Sequence, residues 1–337
     1  MRTFLCTPHT RRAAARRHAA PMRRRTLLNA TATAALLPLH AARAAPLDLQ
    51  WRDAARDRAL PLRLRLPEGD SACPLVLFSH GLGGSVDAGT QWAEAWAAAG
   101  VATLHLQHPG SDREVLREGG LAGLKAAAQG AQLQARVQDL RFVLDELQRR
   151  AAEWPRLLLD RVGLAGHSFG AHTALAVAGQ RWRGVAPLED PRPRAFAAFS
   201  PSPGPAQGAD PQAFGAIRRP LLCLSGSLDG DPLGGGERAE SGDWRRAVYD
   251  GLPAGDKAEL WLDGADHMSF GGQEAGRRLA QLRRPAPARQ QAARHRALIE
   301  AVSSDWWRAQ LLDDSEARRR LSTAPAGLQG RDAWRRA

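Results

Sequence analysis

The stretch Gly166-His167-Ser168-Phe169-Gly170 constrains this chain more than any other, because an apolar run (162–165) precedes it and an alanine-rich helical pattern (171–178) follows it. Strand, sharp turn and helix in that order leave a serine at the apex of a strained bend, with its hydroxyl at the strand end. The two flanking glycines let neighbouring backbone close in around the bend. The helix that starts there points free N–H groups and its positive dipole end at the serine's surroundings. Ser168 is therefore the candidate nucleophile, and the flanking context carries that reading further than the pentapeptide alone.

A chain of 337 residues can form one large α/β domain or two smaller ones. Its start reads as an export signal. Arg23-Arg24-Arg25-Thr26-Leu27-Leu28 opens an apolar segment that runs to Leu39, and Ala42-Arg43-Ala44 offers small residues where a signal peptidase cuts. Residues 1–44 are thus expected to be a twin-arginine leader, cleaved after Ala44. A lipid-anchored or uncleaved form is the alternative, and Met22 is an alternative start to Met1. The apolar segment falls short of the roughly 20 residues that a bilayer core requires, so no transmembrane span is expected. The reading is an exported protein, periplasmic or secreted, handled by the twin-arginine machinery.

The leader also explains most of the charge. Residues 1–44 hold nine arginines and no acid, and without them the formal +12 falls to +3. Whole-chain basicity is then no sign of nucleic-acid binding. From Arg277 onward 14 arginines face 6 acids, which leaves a mildly acidic body before a basic C-terminal region. A solvated surface is the plainer reading of that region, and a weak contact with envelope polyanions the sharper one. Cys73 and Cys223, the cysteines outside the leader, fall in expected strands with two others between them. That is roughly 14 Å at 4.8 Å per strand, too far for a disulfide.

Short apolar runs at 47–51, 59–66, 75–78, 101–106, 162–165, 195–199, 221–224 and 258–262 predict eight strands. Pro61 pushes one end of the second towards a sheet edge. Helical spacing appears at 91–99, 129–150, 171–178, 243–249 and 291–312. Strands alternating with helices specify a mostly parallel sheet covered on both faces. Segments 201–213 and 273–290 interrupt the pattern, and 110–130 reads either as a partial lid or as an ordinary connection. The stretch from Ser315 is polar and expected to be loosely held. The expected division is therefore a leader over 1–44, a catalytic domain over 45–314 and a polar tail over 315–337.

A serine nucleophile needs a base, and the base needs an orienting acid. Asp229 follows the run 221–224 and His267 follows 258–262, which gives the chain order Ser, acid, His. Asp229, nearest the strand end, is preferred to Asp231 as the acid; Asp263 and Asp266 read as turn acids. Asp229-Gly230-Asp231 with its nearby glycines faintly suggests calcium, but the spaced ligands of a calcium loop are missing. For the developing oxyanion the candidate donors are the N–H groups of Phe169 and of Leu82, in the loop Ser79-His80-Gly81-Leu82-Gly83-Gly84-Ser85. His80 reads as a residue that bonds this loop. His108 either reaches the pocket rim or holds the loop after its strand. Leu82, Phe169, Leu233, Met268 and Phe270 are the expected apolar walls, with Leu233, Met268 and Phe270 as substrate contacts.

With Ser79-His80-Gly81-Leu82-Gly83-Gly84, Gln107-His108-Pro109-Gly110-Ser111-Asp112, Gly166-His167-Ser168-Phe169-Gly170 and Ala265-Asp266-His267 in that order, the chain resembles bacterial dienelactone-hydrolase-like proteins. These are α/β-hydrolases related to the platelet-activating-factor acetylhydrolases. The resemblance spans residues 47–312 and is specific for fold, weak for substrate. It implies a serine carboxylic-ester hydrolase of the α/β-hydrolase fold with an eight-stranded sheet, no metal and no organic cofactor. It places nucleophile, acid and base on Ser168, Asp229 and His267, and oxyanion donors on Leu82 and Phe169. Serine stands where dienelactone hydrolases carry cysteine, and Pro109 stands where the acetylhydrolases carry arginine. Small-molecule esters with short to medium acyl chains are the expected substrates. An acyltransferase or peptidase on the same triad is the alternative, as is a non-catalytic binding protein on a hydrolase scaffold.

Overall fold

Leu75 and Leu77 pack on one side of the sheet and Val76 and Phe78 on the other, and all four are buried. A strand buried on both faces reads as a continuous apolar run, which is why CPLVLFS shows no alternation. Each such side chain contributes about 1.5–3 kcal/mol by leaving water. The computed structural model describes residues 45–204, 211–273 and 284–337. Residues 1–44, expected to be a leader, lie outside the described residues, as do parts of both interrupting segments.

Among the described residues nine strands form one sheet. They are β1 (Leu47–Asp53), β2 (Arg58–Arg65), β3 (Cys73–Ser79), β4 (Ala102–Leu106), β5 (Leu157–His167), β6 (Pro193–Phe199), β7 (Leu221–Leu228), β8 (Lys257–Asp266) and β9 (Ala333–Arg336). Their order is β1-β2-β4-β3-β5-β6-β7-β8-β9. Strands from β4 to β8 in that order run parallel, while β1, β2 and β9 pair antiparallel. Helices α3 (Gly130–Arg149) and α4 (Phe169–Ala178) cover one face. Helix α1 (Thr90–Ala98) and the helix Ala292–Leu311 cover the other, where Trp96 and Trp306 donate to Ser303 Oγ (2.8 Å) and Phe196 O (3.0 Å).

All eight expected strands are present, and the ninth corrects the count. The stretch from Ser315, expected to be loose, forms a capped helix at Ser315–Leu321 and then β9 on the free edge of β8. Trp334 supplies the apolar contact and also donates to Leu321 O at 3.1 Å. The fold therefore runs beyond residue 314, the expected domain end. Pro61 lies at the end of β2 that is paired with β1 alone, whereas further along β2 runs between β1 and β4. The β2–β4 ladder begins at Leu62, so the missing N–H of Pro61 costs no ladder bond on that side. Segment 110–130 contains helix α2 (Arg113–Ala127), kinked at Gly120. Leu116 and Leu124 lie against the position of Gly83, so α2 packs on the loop after β3.

Arg318, Arg319, Arg320, Arg335 and Arg336 each pair with a carboxylate of the same chain. Cys73 and Cys223 are buried free thiols with β5 and β6 between their strands. Among the described residues no helix is long and apolar enough to cross a membrane, and no cluster of ligating side chains could hold a metal.

Candidate active site

Ser168 has φ 56° and ψ −116°, a conformation that L-residues rarely adopt and that costs on the order of 1–3 kcal/mol. Close packing enforces it. A Cβ on Gly166 would overlap the Gly170 backbone, and one on Gly170 would overlap the Ser79 carbonyl, so elbow, helix α4 and the end of β3 touch through glycine alone. Ser168 N–H donates to Phe199 O (2.9 Å), pinning the bend to β6. The first free N–H groups of α4 open at this point.

Register decides where the acid and the histidine fall. Gly226 pairs with Leu262, but after an irregularity Leu228 pairs with Asp266. The next residues of the two chains, Asp229 and His267, are thereby brought side by side. Without that shift Asp229 would lie opposite Ala265. Gly264, with φ +79°, sits in the irregularity. His267 then starts a short 3-10 turn, His267–Phe270, capped by Asp266. Ser269 N–H donates to Asp266 Oδ1 (3.0 Å), and Arg284 clamps the same carboxylate at 2.6 Å. Asp266 is thus a turn acid, as expected, whereas Asp263, read the same way, lies within β8 and accepts from Ser227 Oγ (2.8 Å).

His267 Nδ1 lies 2.8 Å from Asp229 Oδ1. With the carboxylate ionised, Nδ1–H donates and Nε2 is left as the basic nitrogen. Asp229 is fully buried. Burial pushes its carboxyl up, but the Arg245 charge and then the His267 hydrogen bond outweigh that and hold it below the ordinary 3.8. Asp231, the alternative acid, instead accepts from Leu233 N–H (2.9 Å) and shapes its own turn.

His167, immediately before the serine, joins the two halves. Its Nε2 lies 3.0 Å from His267 O, and the two rings are 4.7 Å apart. Burial, followed by the neighbouring His267, pushes His167 down to about 3, so it stays neutral and donates through Nε2–H. No hydrogen bond joins the Ser168 hydroxyl itself to His267. Leu82 N–H and Phe169 N–H also donate to no acceptor among the described residues.

Beneath the loop after β3 lies a second set of polar residues. Ser79 Oγ is 3.0 Å from His108 Nε2, and His108 Nδ1 is 3.0 Å from Asp139 Oδ2. The residue types are those of a triad, but all three are fully buried, out of any substrate's reach. His108 therefore holds the loop and does not reach a pocket rim. Burial drives it down to about 4, while Asp139, pushed up by burial, is brought to about 2 by its bonds from His108 and Arg58. His80 bonds the loop as expected, accepting from His108 N–H at 3.0 Å.

Of the expected walls, Met268 is 51% exposed and Leu233 and Leu82 are partly exposed. Phe270 is a correction. It has no exposed surface and packs in the core, where its carbonyl accepts from Trp92 Nε1 (3.1 Å). The short turn after His267 folds Phe270 inwards while leaving Met268 outside. Sequence reasoning missed His167, Arg245, Arg136 and Asp139. Arg136 and Asp139 carried a readable signal, because they share the buried face of α3 with Leu133, Val137 and Leu140. A charge on an apolar stripe marks a buried polar contact.

No protein-family model and no curated protein matches this sequence. Solved structures do. A dienelactone hydrolase from Anabaena variabilis is similar with a TM-score of 0.52 and 20% identity, over 79% of this chain and 99% of that one. A ferulic acid esterase from Streptomyces cinnamoneus gives 0.51 and 22% identity, over 80% and 89%. A 2,6-dihydroxy-pseudo-oxynicotine hydrolase gives 0.51 and 15%, over 80% and 68%. At these identities the likeness is one of fold.

Proposed function

We propose that this chain, which has the α/β-hydrolase fold, is a serine hydrolase that cleaves carboxylic esters through an acyl-serine intermediate. The observation that carries the reading is the 2.8 Å contact between His267 Nδ1 and Asp229 Oδ1, set beside a strained serine whose preceding residue is bonded to His267. Structural neighbours named as an esterase and as a dienelactone hydrolase support the ester class.

In this reading Ser168 Oγ attacks the ester carbonyl while His267 Nε2 takes its proton, and Asp229 stabilises the imidazolium. Reaching Nε2 requires the serine hydroxyl to come within hydrogen-bond distance on substrate binding, a tightening common to such sites. The oxyanion is held by Leu82 and Phe169 N–H. Collapse expels the alcohol with the proton from His267. Water, deprotonated by the same nitrogen, attacks the acyl-serine and releases the acid. Leu82, Leu233 and Met268 supply apolar surface for a short to medium acyl chain.

The test is covalent labelling with a fluorophosphonate, followed by turnover of a chain-length series of nitrophenyl esters. Labelling is expected on the wild-type protein and lost in Ser168→Ala. A folded wild-type protein that takes no label would refute the reading.

Export through the leader belongs to the same proposal. The mature protein from the periplasm or medium should begin at Ala45, and N-terminal sequencing decides it. A contact between the basic C-terminal region and an anionic surface would show as salt-sensitive retention on a cation exchanger.

A further inference from the structure

Arg136 is fully buried on α3, and among the described residues no carboxylate lies within ion-pair distance of it. Burial depresses it to about 9, although the charges of Asp139 and Asp112 work the other way. A buried cation without a contacting counter-ion costs several kcal/mol. Leucine or methionine would continue the apolar stripe of α3 without that cost, so the guanidinium has to be explained by what it touches.

It touches both segments that carry the oxyanion donors. Nη1 donates to His80 O at 2.7 Å, two residues before Leu82, and Nε donates to Ser111 Oγ at 2.8 Å. Ser111 O in turn accepts from Gly83 N–H at 3.0 Å, on the other side of Leu82. The loop is therefore gripped on both sides of its donor by one side chain and its immediate partner. The guanidinium carbon also lies 4.6 Å from the centre of the Phe169 ring, whose own N–H is the second donor. A planar fork that is charged at neutral pH can do both at once, whereas an ammonium cannot.

We propose that Arg136 is a positioning residue of the oxyanion hole: it ties the loop bearing Leu82 to the elbow bearing Phe169 and adds fixed positive charge behind both donors. The inference rests on the ester-hydrolase reading. Its mechanism is preorganisation, since donors held at the place where charge develops cost no reorganisation during reaction. Arg136 meets no substrate and acts through the two N–H groups.

Arg136→Met and Arg136→Lys test it, with nitrophenyl butyrate as substrate and a trifluoromethyl ketone as the transition-state probe. In folded Arg136→Met, kcat is expected to fall about 10²-fold, near the effect of losing one oxyanion donor. KM should stay within about threefold, and ketone affinity should fall in step with kcat/KM. Arg136→Lys should recover part of kcat, because the charge remains while the fork is lost. A folded Met variant whose kcat is within threefold of wild type, or whose loss lies wholly in KM, overturns the proposal. If the Met variant does not fold, Arg136→Lys decides alone: a kcat at least tenfold down with KM unchanged supports the proposal, and an unchanged kcat overturns it. Fluorophosphonate labelling of the wild type separates the two levels. An unlabelled wild type takes the hydrolase reading and this inference down together, whereas a labelled wild type with indifferent variants removes only the inference.

Discussion

Arg245 Nε lies 2.9 Å from Asp229 Oδ1, the same carboxylate oxygen that faces His267. The guanidinium is buried and also donates to Asp229 O (2.6 Å), Gly230 O (2.9 Å) and Ser200 O (3.1 Å). It ties the ends of β6 and β7 together and supplies the positive charge that lets a carboxylate remain ionised where water does not reach. Removing one member of such a pair leaves the other as an uncompensated buried charge. Arg245→Met is therefore expected to lose roughly 3–5 kcal/mol of stability, read as a lower urea midpoint. A midpoint within experimental error of wild type would show that Asp229 does not depend on this pairing.

The Asp229–His267 bond predicts a different signature. Asp229→Asn keeps the shape of the side chain but lets the amide donate to Nδ1, which moves the imidazole proton to Nε2 and blocks the base. Turnover should drop about 10³- to 10⁴-fold, while substrate binding changes little. Full activity in Asp229→Asn would mean that another group orients the histidine.

Gly170→Ala should fail for a steric reason. The new methyl would run into the carbonyl of Ser79, which is backbone and cannot step aside without moving the end of β3. A cost of about 1–3 kcal/mol or more, with loss of fluorophosphonate labelling, is expected. Gly130→Ala is the control: nothing lies within 4 Å of its Cβ position. Being in the first turn of α3, it should leave stability unchanged or raise it by up to about 1 kcal/mol.

Buried histidines make the fold sensitive to acid. His105 and His108 are pushed down to about 4 and His167 to about 3, chiefly by burial, and His80 falls well below its usual range for the same reason. Unfolded histidines take up protons near 6.5. Between 6.5 and 4 the unfolded chain therefore binds more protons than the native one, and stability falls as pH falls. The contribution is fully present above the unfolded value. It is lost by about 1.4 kcal/mol per histidine for each pH unit below it. Urea midpoints at pH 7.5, 6 and 5 should decline steeply, and a flat series would contradict neutral burial of these rings.

Local patterns sufficed where one element carries its own signal. The eight apolar runs became strands because each is buried on one or both faces. The spacing at 129–150 became α3 at Gly130–Arg149 for the same reason. β9 gave no such signal: AWRR is short and charged, and it becomes a strand only because β8 offers an unpaired edge. Phe270 was misplaced because side-chain type says apolar, whereas the direction of a 3-10 turn says inward.

The amino-acid sequence by itself determined the strand and helix alternation, the strained serine between glycines, and the order of serine, acid and histidine along the chain. Only the tertiary structure decided that Asp229 and His267 stand side by side, that His167 bridges elbow and histidine, and that Arg136 and Arg245 sit buried against the loops that matter. The reason is physical. Propensity and periodicity act over a few neighbouring residues, whereas a register shift between β7 and β8, or a guanidinium placed between two loops, is fixed by packing among segments far apart in the chain.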